Sequence, residues 1–344
     1  MTIEQLQAQA TNTFKTRQLP ERLANVATNM HYHIGDHFLN SLDSVGIPTR
    51  DIDELRYVFV TGSGPSLLHC VELLKVASKR PDCLIVSGAT NAGFLLRNGV
   101  TPHVVTIVDT NTILHQVLQT LYRKLSMTLL AVPVWAPPEL LNRYEGPIGF
   151  FMELLESADT DLQALNNFLV HLLNRSFVSL AFGAFGSSIC AQIQTAELYR
   201  HLGNHRINAT YLCGADFGFA DPASTRVPRV QYDEADHAYY EVSHGVPAQL
   251  VKDEAGSYTE PIQLLYRLGL MELWRQTQAP LVQVGAGTLS RYLPFRHSEL
   301  IIKGITNGEN YEAEWPIEDI QIECDIHKAA VQKILENCNI HGFI

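Results

Sequence analysis

Eight short apolar runs, most of them rich in β-branched residues, recur along the chain between stretches of helical spacing: "YVFVTG", "CLIVSG", "VVTIVD", "TLLAVPVW", "IGFFM", "FVSLAF", "TYLCGAD" and "PLVQVG". Runs of four to six apolar residues without alternation belong to strands buried on both faces. Strands of that kind separated by helices predict a mostly parallel sheet with right-handed crossovers, an α/β, Rossmann-like architecture with helices on both faces. The segment "SSICAQIQTAELYRHLG" has the matching helix logic, with serines at its start, apolar residues three and four apart, and Gly203 just past its end.

Flanking regions differ in texture. Residues 1–54 are polar with scattered apolar positions and read as a helical N-terminal segment with a break near Pro20. Residues 55–303 hold the strand and helix alternation, and residues 304–344 read as an extension with a surface strand and a closing helix. Between Asp221 and Tyr258 the pattern gives way to charges, prolines and aromatics, which suits an irregular, acceptor-binding lid.

The bulk numbers exclude several functions. A net charge of −11 argues against a sequence-independent grip on nucleic acid, which depends on neutralising phosphates with Lys and Arg. No apolar stretch reaches the roughly 20 residues of a membrane helix, and the start lacks signal-peptide order, so cytoplasmic residence is the expectation. The 6 cysteines show no C-x-x-C pairing and read as buried thiols rather than zinc ligands.

In open parallel sheets ligands bind beyond the carboxyl ends of the strands, and four loops there carry suggestive chemistry. The first is Gly62-Ser63-Gly64-Pro65-Ser66, whose glycines allow close backbone approach and whose helix start favours an anion by about 0.3–1 kcal/mol. It lacks the Gly-Lys-Ser/Thr of a Walker loop, and Leu67 stands where the dinucleotide fingerprint has its third glycine. The second places Thr90 and Asn91 after a strand, suited to a base or sugar edge or simply to a turn. The third ends in Asp109, a candidate for a ribose hydroxyl, a metal ion or a helix cap. The fourth combines the Gly186-Ser187-Ser188 helix start with Asp216 and Asp221. Two anion-friendly helix starts beside one acidic edge suit a phosphate-containing donor.

These loops, with "LLRNGVTPHVVTIVDTN" and "YLCGADFGFAD", resemble the 6-hydroxymethylpterin diphosphokinase MptE-like family, which includes the motility accessory factor (Maf) glycosyltransferases and is similar to sialyltransferases. The resemblance spans about residues 55–305. It implies a sialyltransferase-like fold and donor phosphate on Gly62, Ser63, Gly64, Pro65, Ser66 and on Gly186, Ser187 and Ser188. It further implies a nucleotide near Thr90, Asn91 and Asp109, and an essential acid at Asp216. This chain departs from the family at Ala89, where many members carry aspartate, and at Thr225 and Arg226, near a family histidine.

Three functions follow as expectations. The first is a glycosyltransferase using a CMP-nonulosonate donor, with His237 or His244 as base and a protein acceptor such as flagellin. The second is ATP-dependent diphosphoryl transfer with Mg²⁺ on Asp109, Asp216 and Asp221. The third is a catalytically degenerate nucleotide-binding protein.

Overall fold

A computed structural model describes residues 2–35, 41–108, 112–156, 159–173, 178–183, 187–219, 226–242, 250–253, 256–285, 289, 293–309 and 317–337. Helix α1 (Ile3–Thr13), a π-helical turn (Phe14–Gln18) and α2 (Leu19–Gly35) lead into the sheet. There follow β1 (Tyr57–Thr61), a 3-10 turn (Pro65–Cys70), α3 (Val71–Ser78), β2 (Cys83–Gly88), α4 (Ala89–Arg97) and β3 (Val104–Thr106). The next elements are α5 (Thr112–Gln119), β4 (Leu129–Pro133), α6 (Pro138–Leu141), β5 (Ile148–Glu156), α7 (Thr160–Leu173) and β6 (Val178–Gly183). Then come α8 (Ser188–Leu202), β7 (Ala209–Cys213), β8 (Arg229–Asp233), β9 (Ala238–Val242), β10 (Val251–Lys252) and β11 (Tyr258–Thr259). The chain continues through α9 (Pro261–Thr277), β12 (Leu281–Val284), β13 (Phe295–Arg296), α10 (Ser298–Asn307) and α11 (Ile317–Asn337).

All eight apolar runs become strands of one sheet, in the order β13-β12-β7-β1-β2-β3-β4-β5-β6, and every pairing within it is parallel. Each face of the sheet is buried, which is why the strands lack polar alternation. On β1, Val58 and Val60 join a core with Ile193 of α8 and Leu270 of α9, while Tyr57 and Phe59 join one with Leu74 of α3 and Ile305 of α10. The ninth strand, β13, is only two residues long and pairs with β12.

Strand β1 lies between β2 and β7, so the chain first builds outward on one side of it and later returns to the other. Such a reversal leaves a crevice at the carboxyl ends of the two central strands, because the connections after them leave in opposite directions.

The flanking regions depart from expectation at Pro20 and in the 221–258 segment. No break occurs at Pro20: it stands in the first turn of α2, directly after the π-helical turn, in which the Leu19 amide donates to the Phe14 carbonyl. An extra residue in that turn shifts the hydrogen-bond ladder where proline has no N–H to offer.

Part of the expected lid lies among the described residues and is regular. Strands β8 and β9 form an antiparallel hairpin with Val230 and Tyr232 buried, and Gly93 of α4 lets the hairpin approach so closely that a Cβ there would lie 2.8 Å from the Val230 carbonyl carbon.

Beyond residue 304 the expected closing helix is α11, and no strand occurs among the described residues there, 310–316 lying outside them. In α11 the buried residues Ile320, Cys324, His327 and Val331 repeat at three and four, so "IEDIQIEC" follows the helical period and leaves Ile322 and Ile326 exposed.

Candidate functional site

At the carboxyl ends of the central strands lies a cleft of about 430 Å³. Its floor is the junction of two loops. The Gly62 amide donates to the Cys213 carbonyl at 2.8 Å, and the Gly64 amide to the Gly214 carbonyl at 2.8 Å. Asp216 closes the junction: its Oδ2 accepts from the Ser66 amide at 2.8 Å and its Oδ1 from the Ser66 hydroxyl at 2.6 Å. Side chains at positions 62 and 64 would collide with the Gly214 carbonyl, and at 64 also with the Asp216 carboxylate. The glycines are therefore required for loop-to-loop contact. Gly214 adopts φ +72°, the left-handed conformation that glycine enters without a Cβ penalty.

That arrangement changes the reading of the first loop. Its amides at Gly62, Gly64 and Ser66 already donate within the protein, so they are not the open helix start expected from the sequence. Gly62, Ser63, Gly64 and Asp216 line the cleft, whereas Pro65 and Ser66 are not in its lining. Asp216 is only 4% exposed, and burial raises its carboxyl above the ordinary range, against the opposing effect of the two Ser66 hydrogen bonds.

Of the second loop, Thr90 lines the cleft and Asn91 does not. Asn91 is a strut: its Nδ2 donates to the Thr61 hydroxyl and the Gly62 carbonyl, each at 3.0 Å, and its Oδ1 accepts from the Ser87 hydroxyl at 3.1 Å. With those partners it holds the ends of β1 and β2 together instead of presenting its amide to a ligand.

Ser187 and Ser188 line the cleft, at the start of α8. Asp109, Gly186, Asp221 and His244 lie outside the described residues. His237 is exposed at the tip of the β8–β9 hairpin, its Nδ1 3.3 Å from the Tyr232 hydroxyl, and is absent from the cleft lining. Among the described residues no group of three or more His, Cys, Asp or Glu is placed to hold a metal ion.

The lining also contains residues that the sequence reading missed. The N-terminal segment forms one wall through Ala10, Thr13, Phe14, Gln18 and Arg22. Arg22 is buried, pairs with Glu153 of β5 at 3.0 Å, and lies over the rings of Phe14 and Trp135 at 4.9 and 5.0 Å. A signal for this pair was present: Arg22 falls four residues before Val26 on the apolar stripe of α2, and Glu153 interrupts the apolar run of β5. Arg226 and Arg229 enter from the hairpin side, with Arg226 hydrogen-bonded to Glu260. The lining thus carries three arginines, of which Arg22 is paired with Glu153 and Arg226 with Glu260, beside the buried carboxyl of Asp216.

The family model for 6-hydroxymethylpterin diphosphokinase MptE-like proteins matches residues 23–222, more than half of the chain. The chain belongs to this MptE-like family. The match begins within α2 and ends just after the Asp216 loop, so it takes in both halves of the junction that forms the cleft floor. A family described by a diphosphokinase supports a transferase as the class of activity. Among solved structures, the Maf glycosyltransferase from Magnetospirillum magneticum AMB-1 is similar over 90% of this chain and 47% of that one, with 16% identity and a TM-score of 0.48. This MptE-like chain therefore spans about half the length of that relative. No curated protein sequence matches it. Among the described residues no helix is long and apolar enough to cross a membrane.

Proposed function

We propose that this MptE-like protein is a nucleotide-dependent glycosyltransferase that takes a CMP-nonulosonate as donor. The sugar–phosphate C–O bond breaks with its electrons leaving on CMP, the acceptor oxygen forms the new bond, and a base takes the acceptor proton. Arginines and helix-start amides stabilise the negative charge gathering on the leaving phosphate. Since His237 stands outside the cleft, His244 is the remaining histidine candidate for the base. A protein such as flagellin would supply the acceptor hydroxyl.

The observation that carries this reading over its rival is Asp216. Both of its oxygens are engaged by Ser66 and it is 4% exposed, so it is poorly disposed to ligate the Mg²⁺ that the rival requires. The rival reading, diphosphoryl transfer from ATP with Mg²⁺ on Asp109, Asp216 and Asp221, keeps the support of the family description.

A thermal-shift titration with CMP and ATP, each with and without Mg²⁺, separates the two. A ligand specific for the native state stabilises it by about 2.7 kcal/mol at a hundredfold excess over its Kd. Metal-independent stabilisation by CMP, retained in Asp216→Asn, is the expected result. Stabilisation by ATP that requires Mg²⁺ and disappears in Asp216→Asn would establish the diphosphokinase instead.

A further inference from the structure

Two helices begin in the cleft with no side chain capping them: α4, whose N-cap is Gly88, and α8, whose N-cap is Ser187. Both are long enough, at 9 and 15 residues, to present first-turn amides at their starts, although in α8 the Cys190 amide already donates to the Ser187 carbonyl at 3.0 Å. Their starts meet. A Cβ built on Gly88 would stand 3.3 Å from the Ser188 hydroxyl and 3.1 Å from Gln192 Nε2, both on α8. On its other side Gly88 is the register partner of Thr106, the last residue of β3. Ala89, Thr90, Thr106, Ser187 and Ser188 all line the cleft.

Two buried polar groups beside this point have no hydrogen-bond partner among the described residues. Thr106 is 1% exposed with its Oγ1 unpartnered, and Gln192 is 0% exposed with its Nε2 unpartnered. The other end of the Gln192 amide is fixed, its Oε1 accepting from the Thr61 amide at 3.1 Å. Native interiors rarely leave such donors unsatisfied, and a group that enters with acceptor oxygens would satisfy them.

We propose that the anion-binding centre of the cleft is this junction of α4 and α8 at Gly88, with the Thr106 hydroxyl as a ligand, and that it takes a phosphate or diphosphate group. The Gly62–Ser66 loop is scaffold: its amides at 62, 64 and 66 are already donated within the protein. The absence of a side chain at Gly88 is what lets the two helix starts approach so closely, since a Cβ there would crowd Ser188 and Gln192. The assignment deepens the nucleotide-dependent reading and rests on it for its biological ligand, but its chemistry requires only a phosphate.

The test uses the full chain with inorganic pyrophosphate, CMP and ATP as probes, followed by thermal shift and calorimetry on the wild type, Thr106→Val and Thr106→Ser. Valine replaces the hydroxyl with a methyl and suits a strand, and serine restores the donor. Loss of a charge-assisted hydrogen bond weakens binding about tenfold, so Thr106→Val should bind pyrophosphate about tenfold more weakly and Thr106→Ser should recover most of that loss. The site is overturned if the wild type shows no response to millimolar pyrophosphate, if Thr106→Val binds it as the wild type does, or if Thr106→Ser is as weak as Thr106→Val. Pyrophosphate binding that depends on Thr106, in a protein that binds neither nucleotide, would support the site and refute the nucleotide reading. Nucleotide binding insensitive to Thr106→Val would refute the site and leave that reading intact.

Discussion

Replacing Gly64 with alanine tests whether the first glycine loop exists for contact with the Asp216 loop. The new Cβ would sit 2.6 Å from the Gly214 carbonyl oxygen and 2.8 Å from Asp216 Cβ, distances that real Cβ atoms do not tolerate. Gly214 follows directly on the central strand β7, so the 62–66 loop is the side that must move. Overpacking of this kind costs about 1–3 kcal/mol. Movement also stretches the Gly64–Gly214 backbone hydrogen bond and the Ser66–Asp216 pair, each contributing about 1 kcal/mol, so the expected loss is about 2–4 kcal/mol. The control is the same chemical change at Gly269 in α9, where nothing lies within 4 Å of the added Cβ. Alanine in a helix interior is favoured over glycine by about 1 kcal/mol, so Gly269→Ala should stabilise slightly. Urea unfolding of the two variants at a common m-value reads the contrast directly. If Gly64→Ala unfolds within about 0.5 kcal/mol of the wild type, the loops are not in the contact described and the scaffold argument fails.

The buried Arg22–Glu153 pair ties the N-terminal helices to β5, and Arg22→Ala removes the buried guanidinium that faces this carboxylate. A loss of about 3–5 kcal/mol in urea is expected, with Arg22→Ala/Glu153→Gln recovering part of it, and an unchanged midpoint for the single variant would refute the tie. Acid stability gives another check. Burial pushes the imidazoles of His327 and His103 down to about 3, with Arg267 and Arg50 respectively adding to the effect. Because the unfolded chain binds these protons near pH 6.5 and the folded chain does not, their contribution is complete above about pH 6.5 and is lost as pH falls toward 3. The stability-against-pH slope in that window should flatten in His327→Gln, and a slope identical to the wild type would count against a neutral buried imidazole.

Much of the fold was legible because burial on both faces leaves a plain mark: a parallel strand between two helical layers needs apolar residues at every position, and all eight such runs are strands of the sheet. The helical period was equally plain in α8, and the closing helix expected near the end of the sequence is α11. In the hairpin, "RVQYD" alternated properly, but its charged turn and the prolines around it hid two short strands in what looked irregular. The family, too, could be named from loop residues alone, because glycines and prolines at strand ends carry backbone geometry in their identity.

What each loop residue does was decided only by tertiary packing. A glycine loop ahead of a helical turn has the same sequence whether its amides face a ligand or a neighbouring carbonyl, and here Gly214 and Asp216, some 150 residues later, take them. Asn91 suits a base edge or a framework strut equally well until Thr61 and Ser87 are placed around it. Thr106 carries no sequence signal whatever, since a threonine in a β-branched run is unremarkable until its register partner proves to be Gly88. The sequence determined the layers through local periodicity and burial, which are properties of neighbouring residues. The cleft arises from the reversal of strand order at β1 and β7, which brings together segments that no local pattern connects.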